Sequence, residues 1–126
     1  MTIRADDLHA LALELKSSKE EVRLRAGASR AFYAAYHWCE AIRFKFSIPR
    51  PSNVGSHHAL IQALSNFEDA KKTTRSNIRI LGRLLTRARR LRVAADYNLD
   101  EDFSVNKAEE SVLLAGQVKT IAAALL

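Results

Sequence analysis

One cysteine, two prolines and four glycines are all that this chain of 126 residues holds of the residues that most often cross-link or break a fold. A single cysteine, Cys39, excludes an internal disulfide and a Cys-rich metal site, and it suits a reducing compartment. It falls on the apolar side of its helical pattern and reads as a small core residue. Both prolines lie at positions 49 and 51, so long helical patterns run uninterrupted on either side of them. No apolar run approaches the roughly 20 residues of a membrane-spanning helix. Arg4, Asp6 and Asp7 precede any apolar stretch, unlike a leader segment. The chain is therefore expected to be soluble and cytoplasmic, with no membrane partner.

Acidic residues are missing from one long stretch. Between Lys71 and Ala95 there are nine Lys or Arg and not one Asp or Glu. Arg75, Arg79, Arg83 and Arg87 recur every fourth position, which on a helix makes one basic stripe, and Arg90 extends the basic face. With a net charge of +6, a pI near 9.8 and an acidic segment over 96–110, the asymmetry points to a directed binding face. Phosphate backbones are the commonest polyanions a cell offers, so RNA or DNA is the first partner to expect. The plainer alternative is a solvated helix face that favours Arg.

Spaced at 100° per residue, Ile78, Leu81, Leu84, Leu85, Ala88 and Leu91 occupy the opposite sector of that helix. Arg92 falls among them. A guanidinium on an apolar face must find an acceptor or reach a cleft, and Asp96, one turn later, is the nearest acceptor in sequence.

Apolar periodicity predicts helices throughout. A short one covers about residues 3–16, with Asp6 and Asp7 near its positive end. A long one covers about 18–46, with Ser18 as N-cap and Glu21 completing a capping box. A third of about three turns starts at His57. The basic helix covers about 75–95 and contains Gly82, which fits close helix packing or a slight bend. A last helix is capped by Ser104, after a turn over 96–103. No alternating pattern of a strand is present. The expected fold is all-α: one domain over 1–126, a bundle of four longer helices plus one short helix. On the long helix a second line, Val22, Ala26, Ser29, Tyr33 and Tyr36, widens the apolar arc beside the core stripe of Leu24, Ala28, Ala31, Phe32, Ala35, Cys39 and Ile42. So broad an arc must be covered from two directions, and a homodimer is the expected source of the second cover.

Three segments together resemble one family: Ser29-Arg30-Ala31-Phe32-Tyr33-Ala34-Ala35-Tyr36-His37, His57-His58-Ala59-Leu60-Ile61, and Arg92-Val93-Ala94-Ala95-Asp96-Tyr97. In order and spacing they are similar to the HEPN superfamily of small helical domains, in its prokaryotic subgroup with an Arg-x-x-Ala-Asp-Tyr run. The resemblance spans roughly residues 20–100. It implies a dimer with a cleft near Arg92. It also implies a metal-independent ribonuclease, often a toxin paired with a nucleotidyltransferase antitoxin, or else a non-catalytic module that binds a nucleotide or docks such a partner. The family's usual active motif is an Arg followed a turn or more later by a His. Arg92 matches the Arg. No His follows it, and Asp96 and Tyr97 stand in that neighbourhood, which makes Arg92, Asp96 and Tyr97 the first candidate catalytic group.

Metal-independent RNA cleavage needs a base for the 2′-hydroxyl, a cation for the phosphate and an acid for the leaving oxygen. Arg92 suits the phosphate, whereas an Asp beside an Arg makes a weak base. An alternative site draws on the histidines. Arg30 and His37 have the family spacing, with six residues between them. His57 and His58 open a helix, where backbone N–H groups attract phosphate and disfavour a charged imidazole. His9 has no partner in sequence. No cofactor motif is present, and a His-His pair without nearby Cys or carboxylate ligands is not a metal signature.

Overall fold

The computed structural model describes residues 2–126, and all of its regular structure among them is helical: α1 (Ala5–Leu15), α2 (Glu21–Lys45), α3 (Ser56–Ser65), α4 (Lys72–Tyr97) and α5 (Val105–Leu125). The expected all-helical bundle is what the chain forms, with α3 the shortest member. No helix among the described residues is long and apolar enough to cross a membrane.

α2 is the central element, in contact with all four other helices. Its core stripe is buried as its period requires, with Phe32, Ala35, Cys39 and Ile42 fully enclosed. Burial pushes the Cys39 thiol far up, and the residue serves as a small core hydrophobe. The second arc has a different fate. Ser29 is buried, and Tyr33 and Tyr36 are half-buried under α3 and α4, so the chain's own helices supply most of the second cover. Val22 and Ala26 alone of that line remain exposed.

Helix ends follow local chemistry in three places. The Arg4 amide donates to Asp7 Oδ2 at 2.8 Å, which fixes the start of α1. Ser104 caps α5 by accepting from the Lys107 amide. After α2, Ser47 takes the left-handed conformation (φ 51°), the Ile48 amide donates to the Arg43 carbonyl and the Ser47 amide to that of Phe44, closing the helix before Pro49.

The capping box expected at Ser18 does not form. Ser18 Oγ accepts from the Glu20 amide, and the helix starts at Glu21. Glu21 faces the far end of the chain instead: its Oε1 accepts from the Phe103 amide at 2.8 Å and its Oε2 faces Arg25. A tertiary partner has outcompeted a local one. The basic helix also outgrows its expected bounds, starting at Lys72 and ending at Tyr97, so Asp96 and Tyr97 ride on its last turn and not in the following loop.

Gly82 is the close-packing point that brings α3 onto α4. A Cβ there would lie 2.9 Å from the Ser65 amide nitrogen and 3.2 Å from its Cα. Backbone cannot yield as a flexible side chain does. Gly82→Ala is expected to lower stability, because overpacking costs about 1–3 kcal/mol and exceeds the ~1 kcal/mol of helix propensity that alanine returns. Thermal denaturation checks this, and a more stable variant would refute the close approach.

Candidate active site

The C-terminal end of α4 is held by a residue with no motif to announce it. Arg25, only 8% exposed, reaches across from α2. Its Nη1 donates to the carbonyls of Ala94, Ala95 and Asn98 at 3.0–3.2 Å, and its Nη2 to that of Glu101. The last carbonyls of a helix have no partner within it, and a cation there also complements the helix dipole. Phe103 lies under the guanidinium at 5.6 Å, and Glu21 balances its charge. Arg25 thereby fixes the turn that carries Asp96 and Tyr97.

One turn earlier, Arg92 bends into the protein. Its Nε lies 2.9 Å from Asp96 Oδ2, the local ion pair expected from the i, i+4 spacing. That approach is off-axis, so the buried Nε–H has no hydrogen-bond partner despite the ion pair. Nη2 donates to the Tyr33 hydroxyl at 3.2 Å. The guanidinium carbon sits 5.5 Å from the Tyr33 ring centre, 5.9 Å from Phe32 and 5.3 Å from Tyr97, distances at which aromatic faces attract a cation. Asp96 also accepts from the Ser29 hydroxyl at 3.3 Å, while Tyr97 is 66% exposed.

α3 delivers His57 to the same aromatic rings. Its imidazole centre lies 5.0 Å from Phe32, 5.6 Å from Tyr33 and 5.0 Å from Tyr36. Burial is the main cause, and the charges of Arg92 and Arg89 the next, of a lowered His57 pKa, so the ring is neutral at physiological pH. An open cleft of about 680 Å³ adjoins it, lined by Val54, Gly55, Ser56, His57, His58 and Arg89. The Nε–H of Arg89 is likewise buried without a hydrogen-bond partner. Arg92 and His57 thus meet at Tyr33, Asp96 and Tyr97 lie against Arg92, and His58 lines the cleft.

The other candidates are placed elsewhere. Arg30 packs on the outer side of Tyr33, 5.6 Å from its ring, and its Nη2 reaches Ser29. His37 is exposed two turns further along, beside the Tyr36 ring, so Arg30 and His37 are not brought together as a pair. The basic stripe is less free than its spacing suggests. Arg79 donates from Nε to the Phe67 carbonyl at 2.8 Å just beyond α3, Arg75 reaches the Glu68 carbonyl, and Arg87 pairs with Glu110. Arg83, Arg87 and Arg90 are the exposed members, and among the described residues no hydrogen bond or ion pair engages Arg83 or Arg90. None of these contacts joins the stripe to Arg92. Another hollow, about 790 Å³ between α1, α4 and α5, is walled mostly by apolar side chains such as Leu13, Ile80, Leu84, Val112 and Ile121, with His9, Lys16 and Glu109 among its lining. No cluster of three or more His, Cys, Asp or Glu able to hold a metal ion exists among the described residues.

Compared with protein families, curated proteins and solved structures, the chain matches none. The geometry therefore has to carry the functional reading.

Sequence reasoning passed over Arg25, Arg89 and Tyr33. Arg89 left a readable signal, since it lies three residues before Arg92 and thus on a neighbouring face of the same helix. Arg25 left only its place on the buried side of α2, next to Leu24 and one turn before Ala28.

Proposed function

We propose that this protein binds RNA and cleaves it without a metal ion, with Arg92 at the reacting phosphate. One observation carries the reading: a guanidinium drawn into the apolar side of α4, paired with Asp96 and held over the Tyr33 ring, which it shares with His57 at an open cleft lined by Arg89 and two histidines. A positioned cation stabilises the charge that develops on a phosphate more than it stabilises the ground state. Arg89, which lines the cleft, suits a flanking phosphate, while exposed Arg83 and Arg90 attract the backbone at longer range. The resemblance to HEPN domains favours the same reading.

The decisive experiment incubates the purified protein with end-labelled RNA in EDTA. Fragments ending in 2′,3′-cyclic phosphate, with 5′-hydroxyl partners, are expected; intact RNA would refute cleavage. Binding has its own test. Arg83→Glu combined with Arg90→Glu is expected to weaken RNA affinity tenfold or more, and to reduce the slope of log affinity against log salt by about 2. An unchanged slope would remove the basic face from the interface.

A further inference from the structure

The last turn of α4 provides a cation but no effective proton acceptor. Asp96 is engaged by Arg92 and Ser29, and a phenol such as that of Tyr97 is a poor base. A second element must supply the missing group if the cleft is to act on a 2′-hydroxyl.

We propose that His57, brought in from the start of α3, is the catalytic residue that accepts the 2′-hydroxyl proton beside Arg92. The inference rests on the ribonuclease reading above and adds to it the proton acceptor. His57 and Arg92 approach the same two rings, Phe32 and Tyr33, within 6 Å of each ring centre, so one aromatic cluster carries both the imidazole and the cation. Three aromatic neighbours hold the ring's orientation, and the adjoining cleft admits substrate. The surroundings also keep the base ready. From α2 it faces Tyr33 and Tyr36, from α4 Arg89 and Arg92 with Asp96 behind the latter, and from its own helix His58; burial and the two arginines disfavour protonation. A neutral imidazole is the form that takes a proton.

The step balances without any added reagent. The 2′-oxygen gives its proton to His57 and forms a bond to phosphorus as the bond from phosphorus to the 5′-oxygen breaks. The products are a 2′,3′-cyclic phosphate and a 5′-hydroxyl, whose proton comes from water, and the imidazolium then returns its proton to water. Because the base is active when unprotonated, cleavage is expected to rise with pH and level off, with its midpoint below the ordinary histidine value of 6.5.

The test compares wild type, Arg92→Ala, His57→Ala and His57→Gln on end-labelled RNA in EDTA, with circular dichroism to confirm folding. His57→Gln retains bulk among the aromatic rings should alanine leave the site loose. Either His57 variant is expected to cleave at least about 100-fold more slowly, at the lower bound of general-base contributions. Each should bind a 2′-deoxy-substituted RNA as wild type does and lose the pH inflection, and added imidazole should restore part of the rate in His57→Ala. Cleavage by both His57 variants within a few-fold of wild type, with the inflection retained, would overturn the assignment of His57 while leaving Arg92 in place. RNA left intact by wild type would overturn both readings.

Discussion

Replacing Arg25 with methionine is expected to lower stability by about 3–5 kcal/mol, since one buried carbonyl is left without a donor and three partly buried ones lose a charged donor. The side chain donates to four backbone carbonyls around the end of α4 and faces Glu21. Removing it leaves those acceptors without their donor, and water reaches only some of them, because the Ala95 contact is buried. The neighbouring apolar cluster of Leu24, Ala28, Ala95, Phe103 and Ala108 is small and cannot offset the loss. For a domain of this size the change corresponds to a fall in Tm of roughly 10–20 °C. Arg25→Lys keeps the charge but not the planar fork, so it should recover only part of the difference. A methionine variant melting within 2–3 °C of wild type, taking about 4 °C per kcal/mol, would show that the carbonyl cage contributes little. Activity should also fall, since the same turn carries Asp96 and Tyr97.

Arg92→Ala is expected to slow RNA cleavage by about 10²–10³-fold, the typical result of deleting a positioned donor from a site where charge develops. Its effect on folding should be small by comparison. The ion pair with Asp96 is a local i, i+4 contact at the helix end, and Asp96 keeps its hydrogen bond to Ser29 when the arginine is gone. This contrast separates the two arginines: loss of Arg25 is expected to act through the fold, and loss of Arg92 at the phosphate. Arg92→Lys, still cationic but unable to contact phosphate and the Tyr33 hydroxyl with the same fork, should fall between alanine and wild type. Kinetics on labelled RNA, with melting curves on the same samples, measure both effects. Cleavage by Arg92→Ala at the wild-type rate would place the reacting phosphate elsewhere.

The His57 proposal depends on two residues 35 positions apart in sequence meeting at the same aromatic rings. No local pattern encodes it. What sets it is the α3–α4 packing, for which the absence of a side chain at Gly82 leaves room. The expectation of an acid–base group after Arg92 on its own helix is met there only by Asp96, whose oxygens are engaged by Arg92 and Ser29.

Much was decided by the sequence alone. Apolar residues at helical spacing, both prolines within a single loop and the lack of any alternating pattern were enough for five helices, because burial of one face per helix is what selects helix over coil. Ser104 as a cap and the pairing of Arg92 with Asp96 were also legible, since each depends on residues three or four apart. Tertiary structure decided the rest. It turned Glu21 away from Ser18 toward Phe103, sent Arg25 to the end of α4, gave Arg75, Arg79 and Arg87 local partners and covered Tyr33 and Tyr36 from within the chain. The physical reason is common to all four. Periodicity tells which face of a helix is apolar, but a charged or aromatic side chain several ångströms long chooses among acceptors that only the packing of other helices brings within reach.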